Sequence, residues 1–241
     1  MKSKKIKAVI TSPDIYPDSV KNLASFGIEV LFSFKNTNVS PPLAYHTDMQ
    51  LTKISDDFFV CAPECFEYYR KILNKFNKKI IKGNTYLSCN YPHDIAYNII
   101  VTENYAVHNF KYTDSVVKSK IESKTKINVP QGYTACTLCL ISENAAITSD
   151  AGIYKILLSN GFDVLMINDN NVLLPGFDHG FLGGSSFLLE HNILAVNGKI
   201  ENHPDYSVIK DFCLKHNVSL LSLSNNPIMD IGSVISLHKA D

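Results

Sequence analysis

Five segments of this chain share one pattern, and that repetition restricts the fold more than any other feature of the sequence. Each segment begins with polar residues or glycine, continues as an apolar strand and ends in a polar stretch. The starts of consecutive segments lie 40 to 48 residues apart, a spacing typical of a repeated structural unit. The segments are HTDMQLTKISDD from His46, HDIAYNIIVTEN from His93, YTACTLCLISEN from Tyr133, FLGGSSFLLEHN from Phe181 and MDIGSVISLHKA from Met229.

The unit that contains Tyr133 shows the pattern most clearly. ACTLCLI and AAITS predict two strands joined by the turn SEN. DAGIYKILLSNG then has the spacing of an amphipathic helix, with Asp150 as its N-cap and Gly161 at its C-terminal end. FDVLMIN predicts a third, buried strand. The unit is therefore ββαβ, and the units from His46, His93 and Phe181 follow the same order.

The fifth unit is divided between the two ends of the chain. The segment from Met229 supplies one strand, and the first 40 residues supply a strand, a helix and a strand. We therefore expect an α/β fold, a five-fold pseudo-symmetric propeller closed by both ends, which protects the sheet edges. The alternative is a mixed α/β domain with accidental similarity. The propeller would be a single domain, 1–241, with units at about 44–90, 91–130, 131–175, 176–225, and 226–241 plus 1–40.

Charge and composition argue against several classes of function. The chain has 23 basic and 23 acidic residues, and Arg70 is its only arginine. Because nucleic-acid binding needs a basic face and commonly uses arginine, we expect no nucleic-acid partner.

The apolar run near the N-terminus is too short for a signal peptide, and no run reaches the ~18 residues that span a bilayer. We therefore expect no membrane association, a cytoplasmic location and six reduced cysteines. The oligomeric state is not predicted.

The loops that lead into the first strands should meet at the axis of such a ring. His46 and Asp48 lie two apart where a strand is predicted to begin, and alternate residues of a strand share a face. We therefore expect both to face a central cavity. His108 and His191 fall in outer strands or turns and are expected to be exposed. The candidate site residues in the five loops are His46, Asp48, His93, Asp94, Tyr133, Cys136, Asp178, His179 and Asp230.

A ring of five ββαβ units resembles the pentein fold of the guanidine-modifying enzymes, which include arginine deiminases, amidinotransferases and dimethylarginine hydrolases. HTD at 46–48 resembles the His-x-Asp strand of the deiminases. DIGSVIS resembles the Glu-Gly-Gly-Asp strand of these enzymes, with Asp230 in place of the glutamate, Ile231 in place of a glycine and Ser233 in place of the aspartate. The chain also resembles bacterial members of this fold without a known reaction.

The resemblance implies a specific chemistry. In the family a cysteine thiolate attacks the guanidinium carbon, a histidine moves the proton, and carboxylates bind the cationic nitrogens. The nucleophile stands two units beyond the histidine unit, which implies Cys136. His46 would be the acid/base, oriented by Asp48 or Asp230, and both carboxylates can also hold a cation. The residues left as substrate contacts are His93, Asp94, Tyr133, Asp178 and His179.

Several hypotheses remain open at this stage. The first is a hydrolase or transferase acting on a guanidine, amidine or amide carbon of a small nitrogen-rich molecule. The second is a non-catalytic binding protein of the same fold, since the aspartate of the family motif is replaced by Ser233 and FLGGSS has no acid. The third is a metal-dependent hydrolase with His46, Asp48, His93 and Asp94 as ligands. A macromolecular interaction protein has no support from the charge pattern. The sequence implies no cofactor. Cys139 is expected in the core, unpaired with Cys136.

Overall fold

The computed structural model describes residues 5–190 and 192–238. Within this part of the chain, the strands are β1 (Ile6–Thr11), β2 (Glu29–Phe32), β3 (Leu51–Ser55), β4 (Phe58–Cys61), β5 (Lys79–Lys82), β6 (Ile100–Val101), β7 (Tyr105–His108), β8 (Thr125–Asn128), β9 (Leu138–Ser142), β10 (Ala145–Thr148), β11 (Asp163–Met166), β12 (Ser186–Glu190), β13 (Ile193–Val196), β14 (Ser219–Ser222) and β15 (Ile235–His238). The α-helices are α1 (Pro17–Ser25), α2 (Thr47–Gln50), α3 (Phe66–Asn74), α4 (Ser115–Lys120), α5 (Thr134–Thr137), α6 (Ala151–Ser159) and α7 (Tyr206–Lys215). None of these helices is long and apolar enough to cross a membrane.

The described strands form five three-stranded sheets of one design. In each sheet the first strand is antiparallel to the second, and the second is parallel to the third. A helix connects the second strand to the third, so the predicted ββαβ order recurs five times. The sheets are β3-β4-β5, β6-β7-β8, β9-β10-β11, β12-β13-β14 and β15-β1-β2. One sheet falls in each of the five predicted ranges, and β15 beside β1 completes the last one.

The central part of the second strand of every sheet is fully buried. Each of these strands contains at least two consecutive residues with no exposed surface, which are Ala8–Ile10, Phe59–Cys61, Ala106–Val107, Ala145–Ile147 and Leu194–Val196. In the unit 131–175, Ala146 lies in one apolar cluster with Ile153 and Leu157 of α6. Burial on both faces explains why these strands read as apolar runs without alternation.

The predicted ends of α6 are confirmed. The Asp150 side chain accepts a hydrogen bond from the Ile153 backbone N–H at 2.7 Å, which satisfies one of the free donors of the first turn. Gly161 follows the helix with a φ of +81°, a conformation that other residues seldom adopt.

The first strand of each sheet is called its inner strand: β3, β6, β9, β12 and β15. The segments that lead into the inner strands differ from the prediction. His46 and Asp48 do not lie on a strand, because His46 is the N-cap of the single turn α2 and β3 begins at Leu51. Cys136 likewise lies in the turn α5, before β9. Hydrogen bonds from a side chain to the backbone stabilise the turn α2. The Gln50 amide donates to the carbonyls of Phe34 and His46 at 2.9 and 3.2 Å. Such bonds compete with strand pairing, and strand periodicity does not detect them.

Candidate functional site

Three of the predicted side chains meet in a buried cluster at the start of the inner strands. The ligand-type atoms of His46, Asp48 and Cys136 all lie within 4.8 Å of one another. The Cys136 thiol donates a hydrogen bond to Oδ2 of Asp48 at 3.0 Å. The three residues are only 2%, 4% and 3% exposed. The turns α2 and α5 place them there, so Asp48 and Cys136, which lie 88 residues apart in two different units, share one site.

The sheet made from both chain ends contributes the fourth predicted residue, Asp230. Its carboxylate accepts the backbone N–H groups of Gly232 and Phe181, both at 2.9 Å. Three residues further on, the Ser233 hydroxyl donates to the same Asp48 oxygen that the thiol contacts. The Asp48 N–H donates in turn to the Gly232 carbonyl at 3.1 Å. His46 and Asp48, Cys136, and Asp230 therefore come from three different units that the ring brings together.

Asn98 belongs to the site and was missed by the sequence analysis. Its amide oxygen accepts the Ala135 N–H at 2.7 Å, and its amide nitrogen donates to the Cys136 sulfur at 3.3 Å. A signal for it does exist in the repeats. Asn98, Cys136 and Ser233 each lie two residues before the first strand of their unit. Aligning the units on the strand start, rather than on their polar residues, would have placed all three together.

Two glycines allow Asp230 and His46 to approach the backbone closely. A Cβ on Gly232 would overlap the His46 side chain, and one on Gly184 would overlap the Asp230 carboxylate. Gly232 also has a φ of +70°, and Ser233 follows at +62°, which is uncommon for a residue other than glycine. Strained backbone of this kind persists where its surroundings hold it in place, commonly at functional sites.

The remaining predicted residues do not enter this cluster. His93 and Asp178 are exposed. Asp94 is buried but accepts the Tyr133 hydroxyl at 2.7 Å, and the His179 ring donates to the Gly180 carbonyl at 2.9 Å.

Two further expectations about histidines change. Among the described residues, no set of three metal-ligand side chains includes His93 or Asp94, so the predicted four-residue metal set does not form. The expected exposure of His108 is wrong, because its ring is fully buried and bonds to the Thr113 hydroxyl at 2.6 Å and the Gly132 carbonyl at 3.2 Å. His191 lies outside the described residues. Cys139 is buried as expected and contacts Ser186 at 3.2 Å.

Burial controls the charge of the cluster. It lowers the pKa of His46 to about 3, so the imidazole is neutral at physiological pH. It raises the pKa of Asp230 to about 8, with a further contribution from the charge of Asp48. Burial, then the charges of Asp48 and Asp230, raise the pKa of the Cys136 thiol well above its usual value. The resting site therefore holds a neutral imidazole, a neutral thiol and two carboxyl groups that compete for a proton.

The acids of the cluster have no cationic partner in residues 5–190 and 192–238: the ion pairs found there include neither Asp48 nor Asp230. Oδ1 of Asp48 and Nδ1 of His46 are buried without a hydrogen-bond partner. An unpaired buried acceptor is costly, and a bound donor would remove that cost. The cluster is therefore complementary to a cation that carries N–H groups.

The raised pKa of Asp230 predicts that the free energy of unfolding falls as the pH rises from about 6.5 to about 8. In this window the folded chain holds a proton that an unfolded carboxyl has already lost, so raising the pH favours unfolding. Below pH about 6.5 the neutral His46 acts in the opposite direction, since the unfolded imidazole binds a proton and the folded one does not. Chemical denaturation at several pH values should show a loss of about 1–2 kcal/mol across the upper window.

An Asp230→Asn variant should remove this loss, whatever its effect on stability at a single pH. Asp178→Asn, at an exposed carboxylate, is the matched control and should keep the wild-type profile. Identical profiles for wild type and Asp230→Asn would contradict the assignment of the proton to Asp230.

A cavity of about 390 Å³, the axial cavity, runs from this cluster along the inner strands. Asp48 and Ser233 line it at the start of the strands, and Lys53, Glu190 and His238 line it further along them. Residues of all five inner strands line the wall between, among them Leu51, Ile100, Val101, Leu138, Leu140, Leu188 and Ile235.

A family of unknown function, DUF6873, matches residues 10–235. The chain belongs to this family. No curated protein sequence matches the chain significantly.

Solved structures of low sequence identity match nearly the whole DUF6873 chain. SxtG, an amidinotransferase from the saxitoxin biosynthetic pathway of Microseira wollei, has a TM-score of 0.58 at 10% identity and covers 100% of this chain and 96% of its own. Agmatine deiminase from C. jejuni has a TM-score of 0.60 at 11% identity, with 98% and 94% covered. A dimethylarginine dimethylaminohydrolase, solved as an adduct with S-methyl-L-thiocitrulline, has a TM-score of 0.57 at 7% identity, with 91% and 92% covered. The chain has the pentein fold, and the fold suggested by its repeats is confirmed.

Proposed function

We propose that this protein is a hydrolase or transferase that acts on a guanidine, amidine or amide carbon, with Cys136 as its nucleophile. The observation that carries the proposal is a buried thiol hydrogen-bonded to Asp48, beside Asp230 and His46, in a cluster whose acids lack a cationic partner. The fold supports it, because deiminases and amidinotransferases share this architecture. A working thiol needs a reducing compartment, which fits the predicted cytoplasmic location.

A bound guanidinium or amidinium would change the state of the thiol. Its N–H groups would donate to Asp48, including the oxygen that has no partner in the free protein. Its positive charge would oppose the two carboxylates that raise the pKa of Cys136. The resting thiol is therefore unreactive, and the substrate itself favours the thiolate.

The side chains of the cluster assign a role to each step of the reaction. The Cys136 thiolate forms a bond to the planar carbon, and the neutral His46 takes the thiol proton and returns it to the departing amine. Water in a hydrolase, or an amine in a transferase, then attacks the same carbon and gives a proton to His46; the carbon–sulfur bond breaks, and the Cys136 sulfur regains that proton. The Asp48 carboxylate holds the cation throughout, and the Asn98 amide keeps the sulfur in place.

Two alkylating reagents of equal size test this proposal directly. 2-Chloroacetamidine is a cation, and 2-chloroacetamide is its neutral counterpart. We expect the cation to alkylate Cys136 at least tenfold faster at pH 7, relative to the rates of both reagents at the exposed Cys89, with mass spectrometry assigning the sites. Equal relative rates at both cysteines would overturn the proposal. Selective alkylation without turnover of any guanidine or amidine would favour a non-catalytic binding protein.

The variant Asp48→Asn should separate binding from reactivity. It keeps the shape of the side chain but removes the charge that attracts the cation and raises the pKa of the thiol. We expect the preference for 2-chloroacetamidine to disappear, while 2-chloroacetamide labels Cys136 faster, by roughly tenfold for each pKa unit recovered. The control Asp94→Asn changes a buried carboxylate that bonds to Tyr133 outside the cluster, and it should leave both rates unchanged. Slower labelling of Asp48→Asn by the neutral reagent would contradict the assigned role of Asp48.

A second candidate function is a metal-dependent hydrolase, favoured by one observation. His46, Asp48 and Cys136 supply nitrogen, oxygen and sulfur atoms close enough to share one ion, a donor set that suits zinc. Elemental analysis of the purified protein distinguishes the two functions. One tightly held zinc per chain, with Cys136 protected until a chelator removes it, would favour the metal. Metal-free protein with a cation-selective thiol would favour the nucleophile.

A further inference from the structure

We propose that the axial cavity binds the aliphatic chain of a substituted guanidine or amidine whose cationic head lies at Asp48. The head group rests on the proposed function, whereas the chain is argued from the walls of the cavity. The ligand is thus a cation with an apolar tail, not a small polar amino acid.

The length and volume of the cavity suit a tail. Its volume of about 390 Å³ falls within the usual range for small-molecule sites, roughly 300–1,000 Å³. Asp48 and Ser233 precede their strands β3 and β15, whereas Lys53 and His238 lie well along them. The cavity therefore follows the inner strands away from the acidic cluster, and a ligand held at Asp48 must extend along the axis to fill it.

The walls are aliphatic and incompletely covered by protein. Val101, Leu140, Leu188 and Ile235 line the cavity and are each only partly buried. When a hydrocarbon replaces water against the aliphatic wall of a cavity, the free energy of the system falls, which favours binding. Four different inner strands supply these side chains, so the apolar lining surrounds the axis.

The two basic side chains at the end of the cavity away from Asp48, Lys53 and His238, are already paired and leave no free cation for an acidic end group. The Lys53 ammonium lies 3.0 Å from an Asp56 oxygen and donates to the Ser236 carbonyl at 3.1 Å. The His238 ring lies 3.0 Å from the same Asp56 oxygen. These groups satisfy one another. Among the described side-chain nitrogen and oxygen atoms of the cavity lining, only Oδ1 of Asp48 is buried without a hydrogen-bond partner, and this atom fixes the cationic end of the ligand.

A homologous series measures the tail directly. Isothermal titration calorimetry with n-alkylguanidines from methyl to octyl should show affinity rising three- to fourfold per methylene, the equivalent of about 0.8 kcal/mol. The gain should stop once the chain reaches the rim. An affinity that stays constant or falls along the series would overturn the inference.

Substitutions that fill the axial cavity with a larger side chain test the same inference. Val101→Trp and Leu188→Trp each add volume to a partly exposed wall position, so the test survives if one of them fails to fold. We expect either variant to bind methylguanidine like the wild type and octylguanidine at least 30-fold more weakly. Leu158→Trp, on the exposed face of α6, should behave like the wild type throughout. Equal losses for both ligands in a folded cavity variant would contradict a tail site.

The two proposals fail separately. A chain-length dependence without alkylation of Cys136 by 2-chloroacetamidine would keep the tail site and remove the nucleophile. Selective alkylation with a flat alkylguanidine series would keep the nucleophile and remove the tail site.

Discussion

Replacing Cys136 with serine is expected to reduce turnover of guanidine or amidine substrates by roughly 10³-fold or more while preserving the fold. A serine hydroxyl can donate to Asp48 and accept from Asn98 as the thiol does, so the hydrogen bonds around the position remain. The hydroxyl is a far weaker nucleophile than a thiolate, because its pKa lies out of reach of the cation that activates sulfur. Amine release, measured per folded molecule and alongside thermal unfolding, gives both quantities.

The control for this variant is Cys213→Ser. It makes the same atomic change at a buried cysteine in α7, outside the cluster. We expect some loss of stability and no loss of turnover per folded molecule, which separates the chemistry of sulfur from the cost of a buried hydroxyl. Turnover by Cys136→Ser within tenfold of the wild type would exclude Cys136 as the nucleophile.

The second large effect is expected at Gly232. A Gly232→Ala variant places a methyl group against the His46 side chain and forces alanine to a φ of +70°. Overpacking and backbone strain together should lower the free energy of unfolding by roughly 3 kcal/mol or more. Urea denaturation followed by circular dichroism measures this loss.

Gly161→Ala is the matched control for that substitution. Gly161 has a similar φ of +81°, but nothing lies within 4 Å of the position of its added Cβ. It should therefore lose only the conformational part, roughly 1–2 kcal/mol. Equal losses at the two positions would show that His46 does not pack against Gly232 as described.

The repeats made the architecture predictable, and the architecture made much of the site predictable. A closed ring of five units brings the loops of His46, Asp48, Cys136 and Asp230 together although the chain separates them widely, but His93 and Asp178 of the same set of loops stay exposed. The charge state of the cluster was not accessible in this way. Whether Cys136 rests as thiol or thiolate depends on how deeply it is buried and on which carboxylates lie beside it.

The local errors have one physical origin. The turns α2 and α5 and the placement of Asn98 depend on side chains that bond to the backbone of a different segment, such as Asn98 to Ala135 and Gln50 to Phe34. A window along the sequence contains only one partner of each bond, so apolar periodicity extended the strands too far. His108 was misplaced for the same reason, because its bond to Gly132 buries it between two segments.

The pairing of β15 with β1 has a consequence for how ligand binding and folding depend on each other. Asp230 and Ser233 precede β15, whereas Asp48 belongs to the next unit of the ring, and the Ser233–Asp48 bond joins residues 185 apart in sequence. In the proposed complex, a cation bound to Asp48 beside Asp230 would link the last strand to that unit across the seam. Its binding energy therefore adds to the free energy of closing the ring, and opening the β15–β1 seam should release the ligand before the other four sheets unfold.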